Sequence, residues 1–538
     1  MALVVAVLLG WAWSNRFVQD DAFISFRYAR NLSEGRGLTW NAGERIEGYT
    51  NFMWVLLMAL PIRLGLDPVL AAYALGLACY AGSLLLSYAL ARELCGSRWQ
   101  ALLVPLLIGL NHTFSSYATG GLETQLQACA LSGAALLTVR VIQRGERGVA
   151  RQLLGVSLCA SAGLLTRLDS AVVLAPLYLA LVGWLLKTRR GREAWQWAAA
   201  AVLPALAIVG GWLHWKLQYY GDVLPNTYYA KASSPALSQG LAYVYRFVTF
   251  YWLGPVLVLG VLRAFRSLPR SGESRATSGA SAKAPTNVLW WLGACVVLWL
   301  VYVVAVGGDF MEFRFFVPVL PLGMVLAVWL VLQESWHATV RAALVLALAL
   351  GGVMASWGHK GYGGVESIAQ LQGHLSNANE NWVGVGQALG ERFGGTEKPG
   401  VLIATTAAGA IPYYSGLDTV DMLGLNDAWV ARYGRSAGAR TGHQKLAPYD
   451  YLVERGVNLV IGHPRVAPEG QEQSSYTISD LEWFTLSPIE GAEVPVTARV
   501  LEVPLEQGYA LRVLYLVPHP RVEQAIAQGT VSAYPVVR

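Results

Sequence analysis

Charge is what this chain has least of. Only 14% of its 538 residues are Asp, Glu, Lys or Arg, where soluble domains carry about 25%, and its mean hydropathy is +0.41. That shortage excludes an ordinary soluble enzyme, and a 54% hydrophobic content excludes a disordered chain. Cysteine is almost missing too. Cys79, Cys95, Cys129, Cys159 and Cys295 all fall in or beside apolar stretches, so no disulfide framework supports the C-terminal third. Internal repeats of about 20–50 residues and a phosphate-cradling GxxxxGK[ST] loop are lacking as well.

What is abundant suits a bilayer. Twenty Trp and fifty-six Gly fit membrane interfaces and transmembrane helices. The net charge of +6 is basic, but its placement argues for topology and not for nucleic acid.

Crossing about 30 Å of hydrocarbon takes roughly 20 residues, fewer where the bilayer thins. Eleven charge-poor segments qualify: 2–18, 68–91, 99–113, 119–139, 151–166, 170–187, 194–215, 241–262, 288–306, 315–333 and 341–357. The segment 50–64 is apolar but short, and reads as an interfacial or re-entrant helix. With Met1 inside, five cytoplasmic loops hold sixteen Lys and Arg, among them Arg140, Arg144, Arg189, Arg263 and Arg341. The opposite loops hold Asp20, Asp21, Glu34, Glu44, Glu47, Glu123, Asp169, Asp222, Asp309 and Glu312. The positive-inside bias therefore puts the acids outside. The first segment lacks a basic n-region and reads as a retained span, not a cleaved signal peptide.

The expected architecture is a polytopic α-helical membrane protein, residues 1–357, followed by a small α/β domain, 358–538. An odd number of spans places that tail outside, in an extracytoplasmic location. Its short runs Gly400–Ala404 and Asn458–Gly462 alternate with helical stretches. Residues 266–287, rich in Ser, Gly and Arg, read as a flexible cytoplasmic linker.

The first external loop, 19–50, stands out. If 20–34 is a helix, Asp20, Ile24, Arg27 and Asn31 share one face. The structural alternative is that Asp20 caps the helix and Arg27 snorkels. Three more external segments carry ionisable groups, which are costly at a membrane boundary unless paired or used. They are Tyr220–Lys231, Gly307–Phe316 and the Arg167/Asp169 pair.

The series DDAFISFRYARNL (20–32), EGYTNF (47–52), LPNTYYAK (224–231) and GGDFMEFRFFVP (307–318), with TTAAGAIPYYSG (405–416) and GHQK (442–445) in the tail, resembles the bacterial GT-C membrane glycosyltransferases. Within them it is most similar to terminal β-1,2-arabinofuranosyltransferases of the cell envelope. The resemblance implies a juxtamembrane helix in the first external loop and sugar transfer from a polyprenyl-phosphate carrier. It also implies an acidic base at the start of that loop, which falls on Asp20, with Asp21 beside it.

The chemistry asks for similar groups. An acceptor hydroxyl needs a carboxylate to take its proton, and a departing lipid phosphate needs preorganised cations. Arg27, Lys231 and Arg314 are the candidates for that phosphate, Arg as a fork and Lys as a point charge. Asn226, Tyr228, Asp309 and His443 are the expected substrate-binding side chains. Tyr413 and Tyr414 are read as either a sugar platform or core. One base and one attack imply an inverting transferase; a retaining pair would need two carboxylates about 5–5.5 Å apart, and adjacent Asp20 and Asp21 diverge by about 100° on a helix. No cofactor is expected, and a divalent metal on the Asp pair is the less favoured option. The expected partners are the polyprenyl-phosphate donor, an envelope polysaccharide or glycoconjugate acceptor, and the bilayer of a bacterial inner membrane. The alternatives are transfer of mannose or an amino sugar to lipopolysaccharide or protein, a flippase for a lipid-linked sugar, and a glycan-holding scaffold. Against the flippase stands the lack of paired charge-bearing broken helices near the midplane.

Overall fold

The computed structural model describes residues 1–144, 148–189, 191–231, 236–267, 286–333, 336–358, 361, 364–395, 400–438, 440, 442–470, 474–489 and 494–537. The expected linker 266–287 lies mostly outside the described residues. The chain packs as two compact units. The first is Met1–Phe17, Ala72–Trp215 and Ala236–Lys360; the second is Val18–Ala71, Lys216–Pro235 and Gly361–Arg538. The break in composition near residue 357 is therefore not the break in packing, because two earlier segments fold with the tail.

In the first unit the apolar sequence becomes helix throughout, since a backbone surrounded by hydrocarbon must satisfy its own hydrogen bonds. Among the described residues seven helices are long and apolar enough to cross a membrane: Pro68–Cys95, Thr124–Arg144, Val149–Thr166, Leu168–Thr188, Gly191–Tyr220, Val288–Ala305 and Ala338–Ala355. They correspond to seven of the eleven expected spans. Ala2–Ser14, Arg98–Leu110 and Leu320–Gln333 match three more in position but are shorter than a full crossing.

The eleventh, 241–262, differs in kind. It is two helices, Leu237–Phe250 and Gly254–Arg263, bent by 104°. Trp252 between them has φ 53°, a left-handed backbone that ends a right-handed helix, and Pro255 follows at the start of the next, where its missing N–H costs nothing. A hydropathy window averages over such a break.

The helices approach closely where glycine allows it. Gly76 of Pro68–Cys95 faces the backbone carbonyl of Ala118. The Tyr251 hydroxyl holds the Thr113 backbone N–H at 3.0 Å. Tyr243 and Phe247 stack on Phe316, at 5.4 and 3.8 Å between ring centroids.

The second unit is built around a mixed seven-stranded sheet. Its strand order is Asp418–Asp421, Leu402–Thr405, Leu459–Pro468, Tyr509–Tyr515, Arg499–Pro504, Ser532–Val537, Tyr476–Thr477. The two apolar runs singled out in the sequence form adjacent parallel strands, with Ile403 opposite Leu459. Val420, Val460, Val500 and Leu514 pack with Leu481 and Phe484 in the core beneath them. Helix Asp20–Ser33, the 12-residue helix Phe52–Arg63 and the short helix Asn226–Lys231 belong to this unit. Phe52–Arg63 occupies the stretch expected to be interfacial, and it leaves Leu56, Leu57 and Leu60 exposed.

A side chain at Gly76 would collide with a backbone atom, which cannot rotate away. Gly76→Val is expected to cost about 1–3 kcal/mol by overpacking, read as a lowered unfolding temperature in detergent. An unchanged temperature would mean that the two segments do not meet there.

Candidate active site

Helix Asp20–Ser33 opens with two acids and closes with Arg30, the order its own dipole favours. Phe23 and Phe26 are buried, and Phe23 packs on Tyr413 and Tyr414 at 5.5 and 5.3 Å. What the helix lies against is the short tail helix Ala410–Ser415. Asp20 accepts from the N–H groups at the start of that helix: Oδ1 from Ala410 at 2.7 Å and Oδ2 from Gly409 at 3.1 Å. Arg27 and Arg30 take the carbonyls toward its other end. Arg27 donates to Pro412 O, and to Leu417 O at 2.7 Å; Arg30 donates to Tyr413 O at 2.9 Å and lies over the Tyr413 ring. Gly409 has no room for a side chain, because a Cβ would meet the carbonyl oxygen and carboxyl carbon of Asp20.

Burial pushes the Asp20 carboxyl up to about 7, with the negative charge of Asp21 adding to the rise; the Gly409 and Ala410 N–H groups and the charge of His374 act the other way. A carboxylate has about four acceptor sites, so two backbone bonds leave it able to accept a proton. A pKa near 7 is where a general base works best at neutral pH. Asp21 beside it is partly exposed.

Arg27 has a different place from the one expected of it. Its guanidinium is buried and also donates to Trp40 O at 2.8 Å and Asn41 Oδ1 at 3.2 Å, while stacking over Trp40. Four of its five N–H donors are thereby engaged with protein oxygens. It holds the fold together and has little left for a lipid phosphate. Asn226 is likewise not positioned for substrate. Its amide N–H groups go to the carbonyls of Gly424, Leu425 and Asp427, and its Oδ1 accepts from Arg432. Tyr413 is core, packed under Phe23 and Arg30, and not an open sugar platform.

The same tail turn, 421–427, is gripped from the first loop. Tyr28 donates to Ile46 O at 2.7 Å and accepts from the Gly48 N–H at 2.9 Å, with Asn426 Oδ1 3.2 Å away. A Cβ on Gly48 would collide with that Asn426 amide, which gives the glycine of EGYTNF its reason. Asp421 accepts from the backbone and side chain of Asn426.

One pair escapes sequence reasoning. Glu47 and Lys216 form an ion pair at 2.8 Å with both side chains buried. Burial pushes Glu47 up to about 7, and Lys216 pulls against it. The signal available was a single Lys near the end of a long apolar helix, between Trp215 and Tyr219.

Lys231 ends helix Asn226–Lys231 and is exposed, as is Tyr228. His443 is partly exposed in the loop before strand Lys445–Leu446, its backbone closing a turn on Arg440. Asp309 and Arg314 belong to the first unit, where they form a buried ion pair at 2.6 Å. Phe313, just before Arg314, has φ 46°, and Gly308 sits against Tyr243, so the segment is a built turn. Arg167 bridges Glu123 at 3.0 Å and Asp169 at 2.7 Å, with Gln127 and Tyr302 also on Asp169. That network is a structural tie.

Residues 369–509 match the model of a domain of unknown function, DUF8728. The chain is 28% identical over 375 residues to a terminal beta-(1->2)-arabinofuranosyltransferase of Corynebacterium glutamicum, a match covering 64% of this chain and 53% of that protein. It is 30% identical over 345 residues to the protein of the same name from Mycobacterium tuberculosis, covering 58% and 52%. The chain thus spans about half the length of the curated relatives it matches. Among solved structures it is similar to ArnT from Cupriavidus metallidurans, in the apo state and bound to undecaprenyl phosphate. Each has a TM-score of 0.55 over 95% of this chain and 97% of that one, at 14% and 13% identity. The fold is therefore that of the GT-C membrane glycosyltransferases, as the motifs led one to expect.

Truncating Arg27 strands four oxygens, most of them buried. Arg27→Ala is expected to destabilise the protein by about 3 kcal/mol or more, and Arg27→Lys, which cannot reproduce the fork, by a large part of that. Unfolding temperature in detergent is the readout. If both variants unfold like wild type, Arg27 is free for another role.

Proposed function

We propose that this chain is an inverting glycosyltransferase that moves arabinofuranose from a polyprenyl-phosphate donor to a hydroxyl of a cell-envelope glycan, at the outer face of a bacterial inner membrane. The names of the curated relatives support the sugar, and the lipid phosphate bound by ArnT supports the carrier. The single observation that bears most weight is Asp20: a carboxylate fixed by two backbone N–H groups, with acceptor capacity to spare and its pKa raised to about 7.

In this reading Asp20 takes the proton of the acceptor hydroxyl as its oxygen attacks the anomeric carbon. The C1–O bond to the phosphate breaks on the opposite face, and its electron pair leaves with the polyprenyl phosphate. One displacement inverts the anomeric centre. Asp21 adds negative charge beside the base. Lys231 is assigned to the leaving phosphate; Arg27 is assigned to holding the Asp20 helix instead. His443 and the DUF8728 tail are assigned to the acceptor. The N-terminus is assigned to the cytoplasm and the tail to the outside, on the distribution of Lys and Arg between loops.

Transfer in proteoliposomes from polyprenyl-phosphate arabinofuranose to an arabinan oligosaccharide tests the reading. Asp20→Asn should lower turnover at least about 100-fold, within the range of general-base catalysis, at a temperature where the variant is still folded. Because the base must be deprotonated in the free enzyme, kcat/KM should fall about tenfold per pH unit below pH 7 and level off above it. Normal turnover in Asp20→Asn, or an acid limb lying near pH 4, would remove Asp20 from the role. Transfer of mannose but not arabinose would leave the mechanism standing and replace the donor.

A further inference from the structure

The spanning helix Gly191–Tyr220 and the run that follows it carry exposed apolar side chains. Leu217 on its last turn, then Val223 and Leu224, lie open, and Tyr228 on helix Asn226–Lys231 is 53% exposed. Against that helix packs the tail helix Ala428–Tyr433, tied to it by one side chain. Arg432 donates to Asp222 Oδ2 at 3.2 Å and to Asn226 Oδ1 at 3.3 Å, and its guanidinium covers the Tyr229 ring at 4.2 Å. Asp222 is only two residues past the end of the spanning helix. Arg432 is thereby fixed to the segment that follows the spanning helix.

On the same short helix, Trp429 and Tyr433 are 37% and 68% exposed. Four residues apart, they share a face, and their rings are 5.8 Å apart. Trp429 is not a loose surface side chain. Its inner face stacks on Tyr451 at 4.1 Å and nearly parallel. The Tyr451 hydroxyl in turn holds Asp427, which caps the helix through the Val430 N–H. The protein therefore presents two large amphipathic rings rigidly, within about one helical turn, 5.4 Å, of a residue pinned to the segment that follows a spanning helix.

We propose that helix Ala428–Tyr433 is a membrane-docking element, which sets Trp429 and Tyr433 into the outer headgroup layer beside Tyr228, Val223 and Leu224. Indole and phenol rings prefer that depth because one end is apolar and the other hydrogen-bonds water and headgroups. A glycan is the competing occupant of exposed aromatic rings. Val223 and Leu224 offer it no polar side chain, and they lie three and four residues past the end of the spanning helix. Docking would hold the tail segment that seats Asp20 at headgroup level, a consequence that rests on the proposed function, although the docking itself does not depend on the sugar transferred.

The test places one nitroxide label at a time on the full chain in liposomes containing phosphatidylglycerol. The five native cysteines are changed to Ser, and Trp429→Cys, Tyr433→Cys, Tyr228→Cys and Val496→Cys are compared, Val496 being 87% exposed on the tail. Labels at 429 and 433 should collide more with oxygen than with a water-soluble nickel chelate, as at 228, whereas 496 should show the reverse. Nickel accessibility at 429 and 433 equal to that at 496 overturns the proposal, and so does immobilisation of those labels only on adding an arabinan oligosaccharide. If the cysteine-free chain does not fold, fluorescence of the native chain decides. Brominated lipids should quench wild type more than Trp429→Phe, and equal quenching overturns the proposal.

Discussion

A helix of six residues cannot satisfy its own backbone: nearly all of its N–H groups and carbonyls belong to its two unpaired ends. Ala410–Ser415 is such a helix, and the groups that complete it come from Asp20–Ser33. A carboxylate meets its N–H end and two guanidiniums meet its carbonyl end, so each charge sits where the local dipole welcomes it. The arrangement fixes the register of the first loop against the tail. Sliding the long helix one way would carry Asp20 toward carbonyls, and sliding it the other way would carry Arg27 toward N–H groups, each a repulsive contact in a buried setting. The Asp20 carboxylate is thus held by the same bonds that hold the fold, and its raised pKa is a by-product of the enclosure needed to make those bonds.

Around that grip the second unit repeats one device, the use of side-chain amides and hydroxyls to satisfy loop carbonyls. Asn226 serves three carbonyls of 424–427, Tyr28 serves Ile46 and Gly48, and Asn41 serves Thr419. Buried loop backbone is otherwise expensive, at about 1–3 kcal/mol for each unmet polar group. Segments from three distant parts of the chain can therefore share one compact unit without forming a common sheet. The buried Glu47–Lys216 pair at 2.8 Å adds a contact whose geometry is more demanding than its net energy is large.

The membrane character, the acid at the start of the first loop and the strands of the tail are legible in the sequence because each depends on local composition. Helical spacing also predicts correctly that Asp20 and Arg27 face the same way. What spacing cannot give is the identity of the opposing surface, and so Arg27 reads as a phosphate ligand when its partners are carbonyls almost four hundred residues away. Asn226 misleads for the same reason, since an amide in a polar loop looks available until the carbonyls it serves are known. Lys216 is hidden in an apolar helix, and the 104° break at Trp252 is hidden in an apolar run, because averaging hydropathy removes the one residue that matters in each.

The separation between Asp20 and its seat has a meaning in time. The N–H groups that hold the carboxylate lie 389 and 390 residues downstream of it. At about 5–20 residues per second of synthesis, roughly 20–80 s pass between the emergence of the acid and that of Gly409. Throughout that interval Asp20 lacks the N–H groups that seat it, and its carboxylate is hydrated, with an ordinary acidity. The Asp20 carboxyl thus gains its seat, and the raised pKa that comes with it, only as a late event of assembly.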